Sequence, residues 1–336
     1  MKKVSKIIIC IILSIIIQCG VLYYLDKILF KPSKEVQVVN IEVPTQTFDT
    51  DVEIPSDAEK IQVSYKGKYI TYLKDNKVML VNTKNSEVKE ILEGIEILDI
   101  EWVPENNTLF IVDKKDGKVN AKTYNASNGV LQDVKEVCDY TKGMSIKSFI
   151  STSAQYISVS NGKSAKFYRI DIDEDLKKLD KSVDKLGSAF AFWQKDVFIY
   201  EDLNHKRFYR YTKGESKKLS FSNPNNLTII KAAGNMIYMG EYTADNKISK
   251  LIYGDDEKAP SSWQTINLKE PMETKDIYVS ENNEIFVVYE SINKIENITK
   301  NETITYEGKF VSINNRVICS LDNNKITLKS VKDTVK

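Results

Sequence analysis

The sequence predicts an all-β fold assembled from copies of one four-stranded sheet. Three observations carry that expectation. A short apolar strand returns seven times, its apolar residues keep a period of two, and no helical pattern of any length competes with it after residue 30. The copies read KYITYLKD, TLFIVDKK, QYISVSNG, DVFIYEDL, NMIYMGEY, EIFVVYES and RVICSLDN. Aligned on a central apolar residue, they place Ile70, Phe110, Ile157, Phe198, Ile237, Phe286 and Ile318 at intervals of 40, 47, 41, 39, 49 and 32 residues. A second apolar residue stands two positions on, at Tyr72, Val112, Val159, Tyr200, Met239 and Val288, with Ser320 the exception. Residues two apart share one face of a strand.

Each copy brings companions. The strand before it reads KIQVS, ILDIEWV, IKSFIS, SAFAFW, TIIKA, KDIYVS and KFVSI in turn. After it come a third strand, a polar turn and usually a fourth strand, as in VMLVNTKNSEVKEI and RFYRYTKGESKKL. Four strands per 40–50 residues, repeated end to end, mark the blades of a β-propeller, in which each sheet buries both faces against its neighbours. Seven four-stranded blades over residues 59–331 are expected, with six or eight as alternatives. The last copy has only three strands, and an open sheet edge is a liability. Spare extended segments, VQVVNIEV and TDVEI, precede the first blade. One of them, Asp51–Ile54 by preference, is expected to supply the missing strand.

The first blade carries a resemblance. Ser64-Tyr65-Lys66-Gly67-Lys68 leads into its second strand, and Thr83-Lys84-Asn85-Ser86-Glu87 leads into its last. At both places the sequence resembles TolB-like and dipeptidyl-peptidase-type propellers. There a Ser/Pro-Asp-Gly-Lys turn precedes an Ile-Ala-Tyr strand, and a Thr-Gly-Glu turn precedes the last strand. The resemblance implies the architecture. It transfers no activity, because the same fold serves scaffolds and peptidase-associated propellers alike.

The N-terminus has a different character. Lys2, Lys3 and Lys6 precede Ile7–Leu25, 19 residues without a charge. A helix of that length, at ~1.5 Å per residue, spans about 28 Å, close to the hydrocarbon thickness of a bilayer. No small-x-small cleavage site follows. Gln18 occupies the place where a lipoprotein signal needs a small residue before Cys19, and the apolar run continues past that cysteine. The expected organisation is a cytoplasmic segment 1–6, a transmembrane anchor 7–25, a stalk 26–58, the propeller 59–331 and a tail 332–336. The three leading lysines put the C-terminal domain outside a cell membrane crossed once.

The chemistry is sparse. The chain has 48 basic and 47 acidic residues, and beyond residue 25 the counts are 45 and 47. That balance excludes the clustered basic surface of a nucleic-acid binder. Only four basic residues are arginine, which points to AT-rich coding and a bacterial source. Cys138 and Cys319 have no C-x-x-C or Cys/His spacing and are expected as free thiols. His205, the single histidine, falls in the polar turn EDLNHKRF. The run DIDEDL offers alternate carboxylates, but Leu176 stands where a calcium loop needs Gly and Ser182 where it needs Glu. No catalytic residue, metal or cofactor is therefore assigned. Trp102 and Trp193 close the first strands of the second and fourth blades, where they pack or floor a channel. The candidate interaction surface is Tyr168, Arg169, Arg207, Tyr209, Arg210 and Tyr211, with Lys206, because aromatic and arginine side chains concentrate at interaction hot spots. The expected function is a non-catalytic binding or scaffolding module of the cell envelope with a protein partner. The alternative is a carbohydrate-active or other propeller enzyme with carboxylates at the channel mouth.

Overall fold

The computed structural model describes residues 48–64, 67–75, 77–314 and 317–330, together with Gln18, Leu22 and Tyr23. The chain divides into two units, residues 1–44 and residues 45–336. In the first, Gln18, Leu22 and Tyr23 are helical. Apart from those three residues, the expected anchor lies outside the described residues, as does most of the stalk. Among the described residues no helix is long and apolar enough to cross a membrane.

The second unit is a seven-bladed propeller of antiparallel four-stranded sheets. Blades one to six cover residues 59–91, 96–139, 145–178, 186–219, 227–272 and 277–305, each a meander of four consecutive strands. Blade seven takes three strands from residues 309–330 and its fourth from Phe48–Glu53, which pairs antiparallel with Lys325–Ser330. Ile54, one residue past that strand, donates its N–H to the Asn324 carbonyl (2.8 Å). Val52 and Ile54 are each 1% exposed, in the core between blades seven and one. Asn314 of blade seven donates its side-chain amide to the Val63 carbonyl of blade one (2.8 Å), so both the inner and outer strands seal the ring.

The core is seven apolar clusters, one at each blade junction. The central strand of every blade is covered on both faces, and all seven residues from Ile70 to Ile318 used to align the repeats are fully buried. Five of the seven point at the preceding blade. Phe110 and Phe286 instead point at the following one, so the repeat alignment is one residue out of register in blades two and six. A one-residue slip flips a strand's faces. Here both faces are apolar, so the slip leaves no mark on the sequence.

Polar clamps tie the junctions. Glu201, 1% exposed, accepts from the Ser188 N–H (3.3 Å) and from Thr228 Oγ1 of the next blade (3.0 Å). Gly187 makes room for it: a Cβ there would lie 2.7 Å from Glu201 Oε2. The first-blade turn is built by its own side chains. Ser64 Oγ accepts from the Tyr69 N–H (2.9 Å), and Thr83 Oγ1 donates between the Gly67 and Lys68 carbonyls (2.7 and 3.0 Å). Gly67 sits at φ +71°, a conformation a side chain strains.

Candidate functional site

The inner strands surround the propeller axis, and in blade two that strand is Glu96–Trp102. Its alternation sends Ile100 and Trp102 into the junction with blade one. Asp99 and Glu101 therefore take the opposite side. Trp102 stacks on Tyr69 (centroids 6.4 Å apart, planes at 13°) and donates its indole N–H to Thr71 Oγ1 (3.1 Å). It is a packing residue that also borders the axial space.

That space is a cavity of about 760 Å³. Its charged lining is Lys60, Asp99, Glu101, Lys147 and Lys231, contributed by blades one, two, three and five; Phe149 and Phe190 add apolar walls. Asp99 is fixed. The Ser148 N–H and Oγ both donate to its Oδ2 at 2.6 Å, and Lys60 Nζ lies 3.6 Å from Oδ1. Lys231 Nζ pairs with Glu281 Oε1 at 3.3 Å and sits 5.7 Å from the centre of the Phe190 ring. Glu101 makes no ion pair within 4 Å among the described residues. Burial pushes its carboxyl up to about 7, Asp99's charge adds to the rise, and Lys231 and Lys60 oppose it from a distance. The cavity thus holds a fixed carboxylate and, beside it on the same strand, one that gains or loses its proton near neutrality.

Five of the six residues expected as an interaction surface are distributed over three blade junctions. Arg169 donates through Nε and Nη2 to Asp196 of blade four (2.9 and 2.7 Å), while its Nη1 reaches Asp171 (3.1 Å). Tyr156 Oη donates to the same Asp196 (2.5 Å). Arg210 donates through Nε and Nη2 to Asp256 of blade five (2.8 and 2.6 Å), which Lys195 also meets (2.5 Å). Tyr211 is buried between blades three and four. Tyr209 stacks on Tyr200 (5.3 Å, 23°). Tyr168 packs at the junction of blades two and three, and Arg207 is exposed at the start of its strand. Alternate residues of these strands face opposite junctions, which draws apart side chains that are adjacent in sequence.

The other candidates resolve simply. His205 lies in a turn, its side chain 45% exposed, with Nδ1 2.8 Å from Oδ2 of the buried Asp202. The DIDEDL run is a hairpin turn in which Asp171 accepts from the N–H groups of Asp173 and Asp175. Cys138 and Cys319 are free thiols. Trp193 is buried at the end of blade four's inner edge, and its indole N–H has no partner among the described residues. Sequence reasoning passed over Lys60, Asp99, Glu101 and Lys231. Their one signal is a charge interrupting an apolar inner strand, in AEKI, ILDIEW and IIKA.

No protein-family model matches the chain. No curated protein matches it in sequence. Solved structures do match. Virginiamycin B lyase from Staphylococcus aureus aligns at 14% identity and TM-score 0.53, over 85% of this chain and 97% of that one. A chain of the mitotic checkpoint complex aligns at 9% identity and TM-score 0.53, over 90% and 100%. The AfRom2 CNH domain aligns at 11% identity and TM-score 0.52, over 87% and 100%. At these identities the likeness shows the propeller fold alone.

Proposed function

We propose that the chain is a binding module of the cell envelope. In this reading residues 7–25 cross a membrane once, the stalk presents the propeller outside it, and the axial cavity takes a small polar ligand. A protein partner then reads the loaded propeller. The observation that carries the binding site is the 760 Å³ cavity, lined by charges of both signs and aromatic walls. Its size falls in the range of about 300–1,000 Å³ usual for small-molecule sites. The turn built by Ser64, Gly67 and Thr83 supports the likeness to TolB-like propellers. Native mass spectrometry of the full-length chain and of Ala191→Trp, which fills the cavity wall, tests the site. A bound small molecule should be present on the first and missing from the second; identical spectra would refute it. Protease added to intact cells should digest the domain, and protection would overturn the topology.

A second reading has its own observation. Asp99 and Glu101 are two carboxylates on one strand with different environments, and Glu101 titrates near 7, where a general acid or base works best. In a propeller enzyme the captured molecule would be converted on incubation, and Glu101→Gln would stop the conversion. Recovery of the molecule unchanged favours the binding module.

A further inference from the structure

We propose that the ligand of the axial cavity is a small zwitterion of the amino-acid or dipeptide class, its ammonium group held by Glu101 and its carboxylate by Lys147. The inference rests on the reading of the cavity as a binding site and assigns that site a chemistry.

Among the five charged side chains lining the cavity, three are already complemented. Asp99 has two donors from Ser148 and the Lys60 ammonium; Lys231 has Glu281. Two remain without an ion pair among the described residues: Glu101 on the inner strand of blade two, and the exposed Lys147 on the inner strand of blade three, Ser145–Ile150. These strands are neighbours around the axis. One unmatched carboxylate and one unmatched ammonium, in one cavity, are complementary to a molecule carrying one of each. A simple anion would leave Glu101 uncompensated, and a simple cation would leave Lys147 so.

The surroundings suit an ammonium group. Lys231 already rests its Nζ against the Phe190 ring, so an aromatic wall of this cavity accepts a cation on its face. Glu101 is half-buried, and the same desolvation that favours its neutral form makes an incoming cation worth more there than in water. The volume accommodates a dipeptide together with the water that polar recognition at this scale retains.

A proton accompanies the ligand. Below about pH 7 Glu101 is protonated before binding and must release that proton to meet an ammonium group. Affinity should therefore fall roughly tenfold for each pH unit below about 6, and level off above 7.

Isothermal titration of the full-length chain in mild detergent, with the twenty amino acids and Ala-Ala as probes at pH 7.5, tests the proposal. At least one probe should bind, and for Ala-Ala both N-acetyl-Ala-Ala and Ala-Ala amide should bind at least tenfold more weakly. Glu101→Gln should abolish the penalty for acetylation and the pH slope, and Lys147→Gln the penalty for amidation. Equal binding of the acetylated or amidated peptide would overturn the proposal, as would failure of every probe. If the probes fail while mass spectrometry still finds a molecule that Ala191→Trp displaces, the zwitterion is wrong and the cavity reading stands. If Ala191→Trp displaces nothing, the cavity reading itself has failed.

Discussion

The seventh blade makes the sharpest test of the architecture, because its outer strand comes from the opposite end of the described propeller. Val52 and Ile54, each 1% exposed, pack with Val63, Ile70, Val317, Cys319, Ile326 and Leu328. Truncating them as Val52→Ala/Ile54→Ala removes three buried methyl or methylene groups from Ile54 and two from Val52. Large-to-small changes at such sites cost about 2–5 kcal/mol for Ile→Ala, and a Val→Ala change adds about 1–2 kcal/mol more. The pair should destabilise the ring by roughly 3–7 kcal/mol, less any relief from local collapse. At about 2–4 °C per kcal/mol for a domain of this size class, the melting temperature should fall by at least about 6 °C. Circular dichroism melting of the full-length chain and the variant reads it directly. Deleting residues 31–58 should do at least as much damage, whereas deleting residues 1–34 should leave the melting of the propeller where it was. The loss should appear as a lower single transition, because the strand couples blade seven to blade one at the seam. If the double variant and both truncations melt together with the parent, the ring does not depend on Phe48–Glu53, and the reasoning from buried area at the seam is refuted.

Four further outcomes follow from the same geometry. Arg210→Met should cost about 3–5 kcal/mol in denaturant unfolding, because it leaves the fully buried Asp256 carboxylate with Lys195 alone; Arg210→Met/Asp256→Asn should recover part of it, and no recovery would show that the arginine acts through packing. Cys319, whose thiol burial pushes up to about 12, should resist a disulfide reagent until the propeller unfolds, while Cys138 reacts first; equal labelling rates would contradict the burial. His205→Ala should cost about 1 kcal/mol, one hydrogen bond to Asp202 in a half-exposed turn, and a loss of several kcal/mol would assign the turn a larger role. Glu101 titrates at about 7 in the fold against 4.5 unfolded, so the folded state holds the extra proton. Its contribution is full below about pH 4.5 and is lost as pH rises through 7, up to about 3 kcal/mol, and Glu101→Gln should flatten that limb of the stability profile.

The fold was legible because burial repeats. Every blade needs a strand covered on both faces, and the residues at Ile70, Phe110, Ile157, Phe198, Ile237, Phe286 and Ile318 announce it in any alignment, even one a residue out of register in two blades. The missing strand was legible for a related reason: three strands leave an edge, and a β-rich segment without a blade of its own lies next to the first one. The site was not legible, because its chemistry is created by closure. Asp99 and Glu101 are two ordinary acidic residues of ILDIEW until Ser148 of the next blade grips one and the ring desolvates the other. The Arg and Tyr residues near positions 169 and 210 show how the same closure distributes neighbouring side chains. Clustering in sequence suggested one patch, yet alternation along strands whose two faces are both covered sends neighbours to different junctions, and each guanidinium meets its carboxylate on the following blade. In a propeller, residues adjacent along a strand work on opposite sides of a sheet, while residues some 40–50 positions apart stand side by side around the axis. A functional site there is read from the inner strands of successive blades taken together, and the charges at Lys60, Glu101, Lys147 and Lys231 become one site only in that order.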